Sequence, residues 1–142
     1  MKTVANVLES KPSALATVQP DSSVYDALTL MAERQVGAVL VLERGTLIGI
    51  LSERDYARKV VLLGKTSRDT TVRDIMTDKV VCIRPSNTID ECMALMTDKR
   101  VRHLPVLEDN KVVGVISIGD VVKEMIAEQK FIIEQLEHYI MS

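Results

Sequence analysis

The stretch Gly49-Ile50-Leu51-Ser52-Glu53-Arg54-Asp55 returns 65 residues later as Gly114-Val115-Ile116-Ser117-Ile118-Gly119-Asp120, with glycine, serine and aspartate in the same places. A duplication this regular constrains the fold more than any single motif, because each copy has to be one supersecondary unit. A unit of roughly 60 residues buries too little apolar surface to be comfortably stable alone. Two copies packing their sheets on each other are the natural solution.

The elements follow from the pattern in each copy. Thr3 to Ser10 reads as a short helix with Val4, Val7 and Leu8 on one face, echoed 68 residues on by Thr71-Val72-Arg73-Asp74-Ile75-Met76. Pro12-Ser13-Ala14 has no counterpart after Lys79 and takes up the three-residue difference. Leu15-Ala16-Thr17-Val18 and Val80-Val81-Cys82-Ile83 are short β-rich runs closed by Pro20 and Pro85. Asp21-Ser22-Ser23 and Ser86-Asn87-Thr88 are cap clusters, with capping-box spacing from Thr88 to Glu91. The helices behind them turn Val24, Ala27, Leu28 and Met31, or Ile89, Met93 and Met96, to one side. Val39-Leu40-Val41-Leu42 and Leu104-Pro105-Val106-Leu107 read as buried strands, and Pro105, unable to donate to a ladder, predicts an edge or a free N–H side. Turns at Glu43-Arg44-Gly45 and Glu108-Asp109-Asn110 lead into the strands that end at Ser52 and Ser117.

Each copy is thus β-α-β-β-α, an α+β (α/β) chain of two repeats related by pseudo-two-fold symmetry. The expected division is 1–63 for the first repeat with its lead-in helix, 64–70 for a polar linker, and 71–142 for the second repeat. The last helix has no stop: Val122, Met125, Ile126, Ile133, Leu136 and Ile140 recur at helical spacing. This stripe either folds back on its own core or forms a dimer contact, and the dimer is favoured because the first half offers no equivalent surface to cover.

Composition narrows the function. A net charge of −2 and a pI near 5.7 give no basic field for nucleic acid, so any anion site has to be local. Cys82 and Cys92 make neither a disulfide framework nor a metal cluster and read as small core residues. With no leader h-region and no apolar run of membrane-spanning length, a cytoplasmic protein without membrane insertion is expected.

The repeated junction is where chemistry could sit. Read as structure alone, Ser52-x-x-Asp55 and Ser117-x-x-Asp120 are helix caps, and Asp55 can pair with Arg58 or Lys59 one turn on. Read as a site, a helix start behind a strand gathers phosphate or hydroxyl groups, and a carboxylate just inside it can accept two vicinal ribose hydroxyls. Gly119 suggests close approach to the backbone. Lys99-Arg100-Val101-Arg102-His103 supplies cations where the first half has Gly37 and Ala38 in place of Arg102 and His103, which predicts unequal charge at the two sites.

The doubled pattern, Val72-Arg73-Asp74-Ile75-Met76, Val101-Arg102-His103-Leu104-Pro105-Val106 and the paired serine–aspartate junctions resemble a tandem CBS-domain module, over essentially the whole chain. The resemblance implies a stand-alone pair with two clefts that take adenosyl ligands: AMP, ADP, ATP, NAD or S-adenosylmethionine. One cleft would use Asp120 on the ribose, Ser117 near the ribose–phosphate, Arg102 and His103 on the phosphates, and Ala16, Val36, Gly37 and Val115 around adenine. The other would use Asp55, Ser52 and Arg54, with Val81, Val101 and Ile50 around the base. The Pro12-Ser13-Ala14 insertion leaves the part played by the Lys11 region open.

A regulatory module that senses adenine nucleotides or NAD and signals to a partner protein is the leading expectation; a ligandless scaffold is the alternative. Catalysis is not expected, because His103 and His138 are the only histidines and no nucleophile–base or metal-ligand spacing appears.

Overall fold

The computed structural model describes residues 2–11 and 15–141. Pro12-Ser13-Ala14, the expected insertion, lies outside the described residues. The elements run α1 (Val4–Glu9), β1 (Thr17–Val18), α2 (Val24–Arg34), β2 (Ala38–Glu43), β3 (Thr46–Ser52), α3 (Glu53–Tyr56), α4 (Val72–Ile75), α5 (Ile89–Lys99), β4 (His103–Glu108), β5 (Lys111–Ser117) and α6 (Ile118–Met141). β1 lies parallel to β2 and β2 antiparallel to β3; β4 and β5 form a separate hairpin.

The 65-residue repeat is visible down to single dihedral angles. Gln35 and Arg100 end α2 and α5 in the left-handed region, both at φ 55°. Arg44-Gly45 and Asp109-Asn110 turn their hairpins with positive φ at both positions, the geometry that matches strand twist. One difference has a clear cause. Leu40 N–H donates to the Ala16 carbonyl at 3.0 Å and helps make β1 a strand. Its counterpart Pro105 has no N–H, and the expected strand over Val80-Val81-Cys82-Ile83 shrinks to one parallel bridge between Ile83 and Val106.

The chain folds into two compact units that cross the repeats. The Asp120 unit gathers Met1–Ser13, Cys82–Glu108 and Gly114–Ser142; the Asp55 unit gathers Ala14–Val81 and Asp109–Val113. Each lead-in helix therefore docks on the core of the other repeat. In the Asp120 unit, Val4 N–H donates to Asn87 O at 2.8 Å and Ala5 N–H to Pro85 O at 3.0 Å. In the Asp55 unit, Val72 N–H donates to Ser22 O at 2.8 Å and Arg73 N–H to Pro20 O at 3.0 Å. These bonds satisfy amides that a helix start leaves without intrahelical partners.

Two glycines make the docking possible. A Cβ on Gly114 would lie 2.5 Å from Leu8 Cδ2, and one on Gly49 would lie 2.6 Å from Met76 Sδ and 3.1 Å from the Thr77 carbonyl oxygen. Gly119, by contrast, is open: a Cβ there would meet only Ser117 Oγ, at 3.6 Å. The close approach in this phrase belongs to its first glycine and not to Gly119.

The core of the Asp55 unit joins Val24, Ala27 and Met31 of α2 to Val39, Val41, Leu51, Val60, Val72 and Ile75. In the Asp120 unit the buried face of α5 is Ile89, Cys92 and Met96, with Cys92 occupying the place of Ala27; Met93, expected on that face, is only half-buried. Burial pushes the Cys92 thiol up to about 11, with Glu91 adding to the shift, so it packs as a small apolar group. The polar segment 64–70 is ordered against α2: Val24 N–H donates to Thr70 O and Tyr25 N–H to Ser67 O, both at 2.9 Å.

The two junction helices differ. α3 passes at Tyr56 into a π turn over Ala57–Val61, in which Leu62 N–H reaches Ala57 O at 3.1 Å, and Gly64 at φ 70° follows. α6 runs unbroken for 24 residues and leaves Ile126, Phe131, Ile132, Ile133, Leu136 and Ile140 exposed. Among the described residues no helix is long and apolar enough to cross a membrane.

Candidate functional site

The two strand-to-helix corners carry the duplicated aspartates. In the Asp120 unit, β5 ends at Ser117 and α6 begins. Ser117 N–H donates to Asp120 Oδ2 at 2.9 Å, and Asp120 N–H donates back to Ser117 Oγ at 3.2 Å. This reciprocal pairing is a capping box, as the purely structural reading expects. A cation is added to it. Lys11, just beyond α1, donates from Nζ to Asp120 Oδ2 at 2.6 Å and to the Val115 carbonyl at 2.8 Å. Among the described residues, Asp120 Oδ1 has no hydrogen-bond partner.

Charge at this corner follows from burial and the lysine. Burial works to raise the Asp120 carboxyl, but the Lys11 ammonium and the Ser117 amide outweigh it and hold the group below the usual aspartate range. His103 starts β4 in a half-buried place. Burial lowers its pKa and nearby Lys11 lowers it further, against a smaller upward pull from Asp120. Arg102 is exposed, and its carbonyl accepts the Ile118 N–H at 2.8 Å, tying the start of β4 to the start of α6.

The Asp55 corner repeats the cap with a different surround. Ser52 N–H and Oγ donate to Asp55 Oδ2 at 3.0 and 3.1 Å, and Asp55 N–H reaches Ser52 Oγ at 3.2 Å. Oδ1 is occupied as well, by Thr77 Oγ1 at 3.2 Å and by the Lys59 ammonium at 3.1 Å. Lys59 also donates to Ile75 O at 2.9 Å. Glu53 N–H donates to Gly37 O at 3.0 Å, the counterpart of the Ile118–Arg102 bond. Both oxygens of Asp55 are thus engaged, whereas Asp120 Oδ1 has no partner among the described residues.

Of the expected site residues, Asp120, Ser117, Val115, Arg102, His103 and Val101 belong to the Asp120 unit. Asp55, Ser52, Arg54, Ile50, Val81, Ala16, Val36 and Gly37 belong to the Asp55 unit. Ile50 is half-buried and exchanges both backbone hydrogen bonds with Thr77; Ala16, Gly37, Arg54, Val81 and Val101 are half-buried, and Val36 is exposed. Lys11 and Thr77 stand at the corners with no motif in the sequence that marks them. Lys11 is 109 residues from Asp120 and gives no local signal, whereas Lys59 follows from its spacing one turn after Asp55. Among the described residues no group of histidine, cysteine or acidic side chains could hold a metal ion.

The family model for the CBS domain matches residues 7–62 and again 72–127. The chain belongs to the CBS-domain family. It is 38% identical over 97% of its length to the mitochondrial CBS domain-containing protein CBSX3 of Arabidopsis thaliana, covering 71% of that protein. Against the CBS domain-containing protein YhcV of Bacillus subtilis it is 31% identical over 82% of its length and 83% of the relative's. A solved CBS-domain protein from Burkholderia ambifaria superimposes with a TM-score of 0.87 at 53% identity, over 90% of this chain and 96% of the other. The fold is accordingly a mixed α+β pair of CBS repeats, a module of the ligand-binding, regulatory kind.

Proposed function

We propose that this CBS pair binds an adenosyl nucleotide (AMP, ADP, ATP or NAD, with S-adenosylmethionine as a further candidate) and signals its occupancy to a partner protein by a change in conformation. The observation that carries the reading is the open oxygen of Asp120. A carboxylate that only caps its helix needs one oxygen for the Ser117 amide; Asp120 meets that need with Oδ2, and Oδ1, without a partner among the described residues, is left for a ribose hydroxyl. Lys11 and Arg102 supply positive charge at the same corner for phosphates, and His103, its pKa lowered by burial and by Lys11, offers a neutral imidazole there. An apolar adenine pocket gives affinity but little choice among adenine ligands, so the phosphates decide selectivity. A ligand changes shape only so far as it favours one arrangement over another.

A thermal-shift screen with AMP, ADP, ATP, NAD and S-adenosylmethionine tests this directly, since a ligand that binds only the folded chain raises Tm. At least one is expected to do so, and Asp120→Asn to abolish the rise more fully than Asp55→Asn. If none of the five moves Tm, the ligandless scaffold becomes the better reading. Self-association into a homodimer through the exposed apolar stripe of α6 belongs to either reading. No catalytic step enters the proposal.

A further inference from the structure

We propose that Lys11 sets the preference of the Asp120 corner for phosphorylated over unphosphorylated ligands, by holding the carboxylate until an anionic group on the ligand draws the ammonium away. This rests on the reading of Asp120 as a ribose-binding group. The Lys11 ammonium has three protons and uses two, on Val115 O and Asp120 Oδ2. Its backbone is held as well, with Lys11 N–H donating to Leu8 O at 3.2 Å behind the docked α1. The lysine and aspartate side chains are 31% and 21% exposed, so the pair is less screened than a surface one.

A carboxylate gripping a ribose diol offers an acceptor to each hydroxyl. At this corner Oδ2 already accepts the Ser117 amide and the ammonium. A neutral nucleoside has two options: to use Oδ1 alone, or to displace Lys11 and leave a half-buried cation without a counter-charge, which is costly. A phosphate offers the displaced ammonium a replacement anion through the same kind of charge-assisted bond. The arrangement is specific to this corner. The counterpart of Lys11 by the 68-residue offset is Lys79, which is exposed and makes no ion pair among the described residues. The cation at Asp55 is instead Lys59, from the same helical segment.

The test is calorimetric titration of the full chain with adenosine and with AMP at one ionic strength. The variants are Lys11→Met, Lys11→Gln, which keeps a donor for Val115 O, and Lys11→Arg. In the methionine and glutamine variants AMP binding should fall by about tenfold, the size of one charge-assisted hydrogen bond, while adenosine binding holds or tightens. Lys11→Arg should keep most of the preference. An equal loss for both ligands, or an unchanged ratio, overturns the role of Lys11 and leaves the reading of Asp120 standing. A wild-type chain that binds neither adenosine nor AMP overturns the role of Lys11, and one that also fails to bind ADP, ATP, NAD and S-adenosylmethionine overturns the reading of Asp120 as well.

Discussion

At the scale of single residues, the molecule places two like-spaced aspartates in unlike company. Both cap their helices, but Asp55 engages both oxygens, with Ser52, Thr77 and Lys59, while Asp120 has one oxygen without a partner among the described residues. Asp120→Asn is therefore expected to weaken AMP or NAD binding ten- to over a hundredfold, the range for a hydrogen bond to a charged group, as read by calorimetry. Unchanged affinity would remove the residue from the site. His103 makes a separate prediction. Its folded pKa is depressed from 6.5, so neutral histidine is the stabilised form. The contribution is fully present above pH 6.5 and is lost as pH falls through the folded value, because the unfolded chain takes up a proton that the folded one resists. Urea midpoints should drop between pH 7.5 and 5.5, and His103→Gln should flatten part of that slope. Asp120 is depressed as well, so its contribution is lost only in the more acidic range, as pH falls below 3.8. Gly114→Ala should destabilise by about 1–3 kcal/mol through overpacking against Leu8, and the loss should shrink when Leu8→Ala clears the space.

At the scale of elements, most caps repeat between the two copies, but Thr3 caps its helix while its counterpart Thr71 makes no side-chain cap. Thr3, Ser23, Ser52 and Thr88 each accept an amide hydrogen bond from the third residue beyond them. Thr88→Ala, at a capping box that also engages Glu91, should cost about 1 kcal/mol in chemical denaturation. A cost near zero would mean water replaces the cap without penalty. The junction helices show how a repeat diverges: the first is cut short by a π turn and Gly64, the second continues as α6 well past the packed part of its unit. Its Ile126, Ile133 and Ile140 recur every seven residues beside Leu136, a spacing that suits pairing with another helix. Replacing Ile133 and Leu136 together by glutamate is expected to convert a dimer to a monomer in light scattering without changing Tm of the monomeric fold. A wild-type chain already monomeric at tens of micromolar would end that expectation.

At the scale of the whole molecule, the exchange of lead-in helices ties each repeat to the other. Val4 and Val7 are buried in a unit whose other core residues lie more than seventy positions later in the chain. Removing residues 1–9 withdraws both, at about 1.5–3 kcal/mol for each side chain. Amide exchange should then accelerate in α5 and in the β4–β5 hairpin far more than in α2, β2 and β3. A uniform loss across both units would mean that they unfold as one cooperative body. A loss confined to α2 would place the lead-in on its own repeat, contrary to the hydrogen bonds it makes with Pro85 and Asn87.

Local rules settled much of this protein before any coordinates. The 65-residue offset, the cap clusters, the apolar strands and the turn residues dictated two β-α-β-β-α repeats, because each is a property of neighbouring residues whose spacing is fixed by helical and strand geometry. Pro105 likewise announced its missing donor, and Lys59 its partner one helical turn away. What the chain order could not decide is which repeat receives each lead-in helix, since offsets of 65 and 68 residues are satisfied by docking on either copy. For the same reason it could not bring Lys11 to Asp120, a contact made across 109 residues. Only the folded chain, by exchanging its lead-ins, gave the second aspartate a lysine from the far end of the sequence and left the first with one from its own helix.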